Sequence, residues 1–200
     1  MKSDLLSSLR FLHHNFLSRS KFDIHSPFVY KFYSEILKDK TDYPEYQEII
    51  KQKSDRKSLL SVKDCRLLFR VSRYYKPETI LILATQEDLS TSSLSMGCPA
   101  SRIIILKNPD LITDVDSFDM VFVLCDHPWN LVPDYFSRTI QHIHNDSVLI
   151  LCNIQLSKEI HELWDEIKNH SSVTLTIDLF NLGLVFYKEE LTKEDFILRY

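Results

Sequence analysis

The chain has 200 residues and only two glycines, where roughly fourteen would be usual at a frequency of ~7 %. That scarcity excludes a Walker loop, a GxGxxG fingerprint and other glycine-built phosphate cradles, each of which needs several glycines close together. A content of 44 % hydrophobic and 12 % aromatic residues excludes disorder. With 24 cationic against 28 acidic side chains, a formal charge of −4, there is no basic face to attract nucleic acid.

Residues 3–18 place Leu5, Leu9, Leu12 and Phe16 at steps of four, three and four, one apolar stripe of a helix. Arg10, His13, His14, Arg19 and Lys21 sit among or just after these leucines. Their modest charge predicts packing against the domain or a second subunit rather than binding to an anionic surface. With Asp4, Arg10 and two histidines, the segment is a poor secretory leader. No apolar run approaches the ~18 residues of a membrane span. Ser26-Pro27 is an N-cap and first-turn pair, and Phe28, Val29, Phe32, Tyr33, Ile36 and Leu37 continue it as an amphipathic helix. His25, just before it, is expected to be held by hydrogen bonds between the N-terminal helices and the core. A short helix over 45–53 leads into KQKSDRKS at 51–58, the best linker candidate in the chain. The expected organisation is therefore a helical N-terminal extension over 1–58 and a second unit over 59–200.

Residues 63–75 read as a helix ended by Lys76-Pro77. The pattern then changes to short runs that are apolar on both faces: 79–84, 103–106, 120–124 and 148–152. Such runs are typical of parallel strands covered on both sides. Helical patterns at 131–143 and 157–169 alternate with the later ones, which argues an α/β sheet with right-handed crossovers. The strand-like stretches 173–178 and 184–187 are joined by a short connection containing Gly183, hence an antiparallel pair. At 85–93 (TQEDLSTSS), Asp88 or Ser90 is expected to cap a helix over 89–95 in preference to that helix start binding an outside anion.

A mostly parallel sheet with one antiparallel strand resembles the Rossmann-like sheet of class I S-adenosylmethionine-dependent methyltransferases. His25-Ser26-Pro27-Phe28-Val29-Tyr30 resembles the opening motif of a Bacteroidetes methyltransferase-like family. So do Leu67-Leu68-Phe69-Arg70, Lys76 to Leu81, His144 to Val148, Thr176 to Phe180 with Gly183, and Phe196 to Tyr200, in order along the chain. The resemblance implies a cofactor pocket at Ala84, Thr85, Gln86, Lys107, Leu124 and Cys125. It also implies that this pocket is degenerate. Ile82 stands where the family has an acid, and Ala84 and Asp88 stand where it has glycines. Lys107 replaces the acid that holds the ribose hydroxyls and has no acceptor to offer them. Leu124-Cys125-Asp126-His127 replaces Asp-Gly-Asn-His, and Cys152-Asn153 replaces paired aspartates. Only twelve residues (107–118) precede Asp119, so the family's third, edge strand is expected to be missing.

Two functions fit this reading. The preferred one is a non-catalytic methyltransferase homologue with no cofactor. It would serve as a binding or scaffold protein that pairs with a second copy or an active paralogue. The alternative is an active S-adenosylmethionine-dependent methyltransferase with an altered site and an unknown acceptor, with His127 as general base. Cys125, His127 and Cys152 could instead form a zinc site or a thiol nucleophile. Their spacing matches no known zinc motif, so no metal is expected and the cysteines read as small buried hydrophobes. With four dispersed cysteines and no CxxC pair, the expected compartment is the cytoplasm.

Overall fold

The computed structural model describes residues 2–200 apart from 21–22, 56–57, 108–110, 113–116 and 126–131, and gives no side-chain detail for residues 2–7, 54–55 and 132–135. Helix α1 spans Lys2–Leu17. Helix α2, Pro27–Phe32, starts where expected: the Ser26 hydroxyl accepts from Val29 N and Pro27 fills the first turn. It runs on into a wider π turn, Tyr33–Leu37. Helix α3 covers Glu45–Asp55, so the first five residues of the expected linker are helical. Lys53 ties that helix to the start of the second unit by donating to Ser58 O at 3.0 Å and Leu60 O at 3.1 Å.

Helix α4, Val62–Tyr75, opens with a capping box between Ser61 and Asp64. It ends at Lys76, whose left-handed φ of 48° supplies the C-cap ahead of Pro77. Strand β1 (Thr79–Leu83), helix α5 (Leu89–Gly97), strands β2 (Arg102–Leu106) and β3 (Met120–Val123) and helix α6 (Val132–Thr139) follow. Strand β4 (Val148–Cys152), helix α7 (Lys158–Asn169) and strands β5 (Leu175–Asp178), β6 (Leu182–Phe186) and β7 (Glu194–Ile197) complete the chain.

The seven strands form one sheet in the order β2-β1-β3-β4-β6-β5-β7. Strand β1 pairs in parallel with β2 and β3, and β3 with β4. Strand β6 runs antiparallel to both neighbours, β4 and β5, while β7 adds a parallel edge on β5. The fold is thus the expected Rossmann-like α/β sheet with one reversed strand. Among the described residues nothing pairs with the outer edge of β2.

Alternation along each strand divides the apolar side chains between two layers. Ile80, Ile82, Met120, Phe122, Ile150 and Leu184 face α2 to α5, and Ile24, Val29, Phe32, Ile36 and Ile49 from the N-terminal segment belong to that same core. Leu81, Leu83, Val121, Val123, Leu149 and Val185 face the other way, onto α6 and α7. Both glycines serve close packing, and neither has a positive φ. A Cβ on Gly97 would lie 2.3 Å from Phe69 O on α4. Gly183 lies within β6, not in the connection before it, and a Cβ there would lie 2.7 Å from the Trp164 ring.

Candidate functional site

Parallel strands carry their connecting loops at the carboxyl edge, where open α/β sheets bind ligands. The expected pocket positions gather at that edge. Ala84 is 1 % exposed and its N–H donates to Leu106 O at 3.1 Å, tying the end of β1 to the end of β2. Thr85 is half-buried, whereas Gln86 and Lys107 are exposed. Leu124 is buried and its N–H donates to Leu83 O at 2.9 Å. Buried Cys125 sends its N–H to the Cys152 sulfur at 3.3 Å, so the ends of β3 and β4 bring these two cysteines together. Asp126 and His127, the general-base candidate, lie outside the described residues.

The loop after β1 is organised by Asp88, which is 4 % exposed. Its carboxylate caps α5 by accepting from Ser90 N at 2.8 Å and Thr91 N at 3.4 Å. It also accepts from the Ser90 hydroxyl and, at 2.8 Å, from the Ser58 hydroxyl in the segment before α4. The first N–H groups of α5, the place where a helix start would hold an outside anion, therefore meet a carboxylate of the chain itself. The cap was legible from Asp88 and Thr91 at the spacing of a capping box. The long-range bond from Ser58, 30 residues away, carries no local signal.

Cys152 is a poor nucleophile or ligand in this setting. Burial pushes the Cys152 thiol well above its ordinary value, and its contact with Cys125 adds to the shift. Burial likewise pushes Cys65 up to about 12. Among the described residues, no group of three or more His, Cys, Asp or Glu side chains could hold a metal ion.

A second constellation lies where α1 crosses the β5–β6 turn. His14, 7 % exposed, pairs with Asp178 at 2.9 Å. Phe11 and His14 both pack edge-on against Phe180, with ring centroids 5.1 and 5.4 Å away. Phe180 has a left-handed φ of 73°, and its N–H is held by Asp178 at 2.8 Å. Arg10, itself exposed, donates to Gln155 O at 3.2 Å, Arg19 pairs with Glu194 at 2.7 Å, and His13 is exposed. The apolar stripe turns outward, with Leu9 53 %, Leu12 63 % and Phe16 86 % exposed. His25 differs from expectation as well. Its side chain is exposed, and it is Phe28 that docks the motif on the sheet, 5.0 Å from Phe186.

No known protein-family model matches the chain, and no curated protein matches it. Solved structures do. The O-methyltransferase TomG from Streptomyces achromogenes, solved with S-adenosylmethionine, is 16 % identical, with a TM-score of 0.55 over 74 % of this chain and 91 % of that one. The O-methyltransferase from Bacillus cereus, solved with S-adenosylhomocysteine, is 15 % identical, with a TM-score of 0.52 over 80 % and 97 %. PaMTH1 from Podospora anserina, also bound to S-adenosylhomocysteine, is 11 % identical, with a TM-score of 0.53 over 83 % and 97 %. The chain therefore has the methyltransferase fold. At these identities the likeness concerns the architecture alone, and function must be argued from the site.

Proposed function

We propose that this chain is a methyltransferase-fold protein that works by binding a partner, a second copy of itself or an active relative, and not by transferring methyl groups. The observation that carries this reading is the exposed stripe of α1: His14 and Arg10 bond to the domain while Leu9, Leu12 and Phe16 form an apolar ridge in solvent. Apolar surface presented contiguously on a positioned helix marks an interaction site.

The carboxyl edge supports the same reading. A sulfonium nucleotide held as the resembled family holds it needs a glycine cradle and a carboxylate for the ribose. Here Ala84 and the internally bonded Asp88 stand at the cradle, and Lys107 stands at the ribose position. These residues do not fit that grip, and no transfer step follows from them. The HSPFVY-bearing Bacteroidetes group is the family we assign. Four free cysteines favour a reducing compartment such as the cytoplasm. No helix among the described residues is long and apolar enough to cross a membrane.

The likeness to structures solved with S-adenosylmethionine or S-adenosylhomocysteine favours a second reading, an active enzyme with a rebuilt cofactor site. Calorimetric titration with both compounds separates the two. Partner binding predicts no association tighter than ~100 μM, about −5.5 kcal/mol. It also predicts self-association in sedimentation equilibrium that is lost in Leu12→Lys/Phe16→Lys. Tighter cofactor binding, or sedimentation unchanged by the double substitution, overturns it.

A further inference from the structure

We propose that a cleft between the end of α2, the start of α3 and the outer face of α4 binds the phosphate group of a small phosphate monoester. Helix α4 carries Lys63, Arg66, Arg70 and Arg73 at steps of three, four and three, a cationic stripe on one helical face. This site lies on helices, away from the strand ends, and does not depend on the partner-binding reading.

The cations are held by aromatic rings and backbone. The Arg70 Nε donates to Ile36 O at 2.8 Å and its Nη1 to the Tyr46 hydroxyl at 3.1 Å, so its guanidinium is fixed in place. Arg66 lies over the Tyr46 ring, 4.7 Å from the centroid. Its Nε is buried with no hydrogen-bond partner. A buried donor left unmade is costly, more so when it belongs to a charged group. The terminal nitrogens of a guanidinium offer a planar edge suited to two oxygens of one tetrahedral or carboxylate anion. Lys63, over the Tyr200 ring at 4.3 Å, and Lys40 stand at the same opening.

Charge and size select the ligand. The cleft encloses about 550 Å³. Its lining has four cations (Lys40, Lys63, Arg66, Arg70) against the side-chain carboxylates of Asp39 and Asp42, and Lys63 already donates to the Tyr200 carbonyl oxygen. Asp39 is already engaged by Thr41 N and the Tyr43 hydroxyl, each at 2.8 Å. A phosphate monoester carries about −1.5 to −2 near pH 7 and three acceptor oxygens, which suits a cation-rich lining. The volume exceeds that of a bare phosphate, and Leu37 and Val62 on the wall give an organic remainder an apolar surface.

The test is thermal denaturation and calorimetric titration of the full chain with inorganic phosphate and with glycerol 2-phosphate, with sodium chloride at matched ionic strength as the control. Stabilisation by the monoester beyond the chloride control is expected, with inorganic phosphate binding more weakly. Arg66→Gln should weaken monoester binding about tenfold, the loss of one charge-assisted contact. Lys40→Gln, at an exposed position that leaves the fold untouched, should weaken it about threefold and serves if Arg66→Gln does not fold. No stabilisation beyond chloride, or undiminished affinity in the folded variants, overturns the proposal. Equal affinity for inorganic phosphate and the monoester overturns the assignment of an organic ligand.

Discussion

Replacing Gly97 by alanine sets two effects of opposite sign against each other. At Gly97, the last residue of α5, the change is ordinarily favourable by somewhat less than the ~0.8–1 kcal/mol of a helix interior, because alanine loses less backbone freedom. Here the new Cβ would sit 2.0 Å from the Ser72 hydroxyl oxygen and 2.3 Å from Phe69 O, and contacts under 3.0 Å force something to shift. The hydroxyl can rotate away. The carbonyl belongs to the backbone of α4, whose Phe69 and Ser72 are both fully buried, so α4 and α5 must part by about 0.7 Å, the difference between 3.0 and 2.3 Å. Overpacking of this kind costs ~1–3 kcal/mol, and an immovable neighbour places it at the upper end. The net expectation is a loss of about 2 kcal/mol, a fall in Tm of roughly 4–8 °C for a chain of this size. Urea and thermal denaturation monitored by circular dichroism read it directly. Ser72→Ala in the same chain relieves the hydroxyl contact but leaves the carbonyl one, so the double variant should remain below the wild type. A neutral or stabilised Gly97→Ala would refute the steric reasoning.

Three further outcomes are expected. Gly183→Ala should cost less than Gly97→Ala, about 1–2 kcal/mol, because the Cβ meets the Trp164 side chain; a shift in tryptophan fluorescence should accompany the lower Tm. In the folded protein, thiol titration with a disulfide reagent at about pH 8 should label half-exposed Cys98 first and leave Cys65 and Cys152 unreacted until denaturant is added, since burial holds both thiols protonated. His14→Ala removes a partner from buried Asp178, a cost of about 1–3 kcal/mol, and should speed tryptic cleavage at Arg10 and Arg19 ahead of global unfolding.

The sheet was legible because a strand apolar on both faces has few alternatives, and the runs at 79–84, 103–106, 120–124 and 148–152 match β1 to β4 to within a residue or two. Strand β7 was not predicted. Glu194 and Asp195 occupy half of it, and an edge strand needs only one apolar face, so Phe196 alone gives no pattern. The helical period of Leu9, Leu12 and Phe16 identified α1 correctly but not the direction of its stripe. Periodicity reports that a helix has an apolar side, not that its own domain covers that side. At the carboxyl edge, the capping of α5 by Asp88 could be read from the local sequence. The arrangement of Asp88 with Ser58, and of His14 with Asp178, depends on pairs separated by 30 and 164 residues, beyond the reach of local sequence.

The edge position of β2 has a consequence for colloidal behaviour. Among the described residues strand β2 is an outer strand of the sheet, and Ile105 is 37 % exposed on it. A hydrophobic margin of unpaired peptide groups is a template for lateral addition of foreign strands. Arg102 begins the strand and Lys107 follows its last residue. Charged residues at the ends of such a margin are among the devices that discourage strand addition.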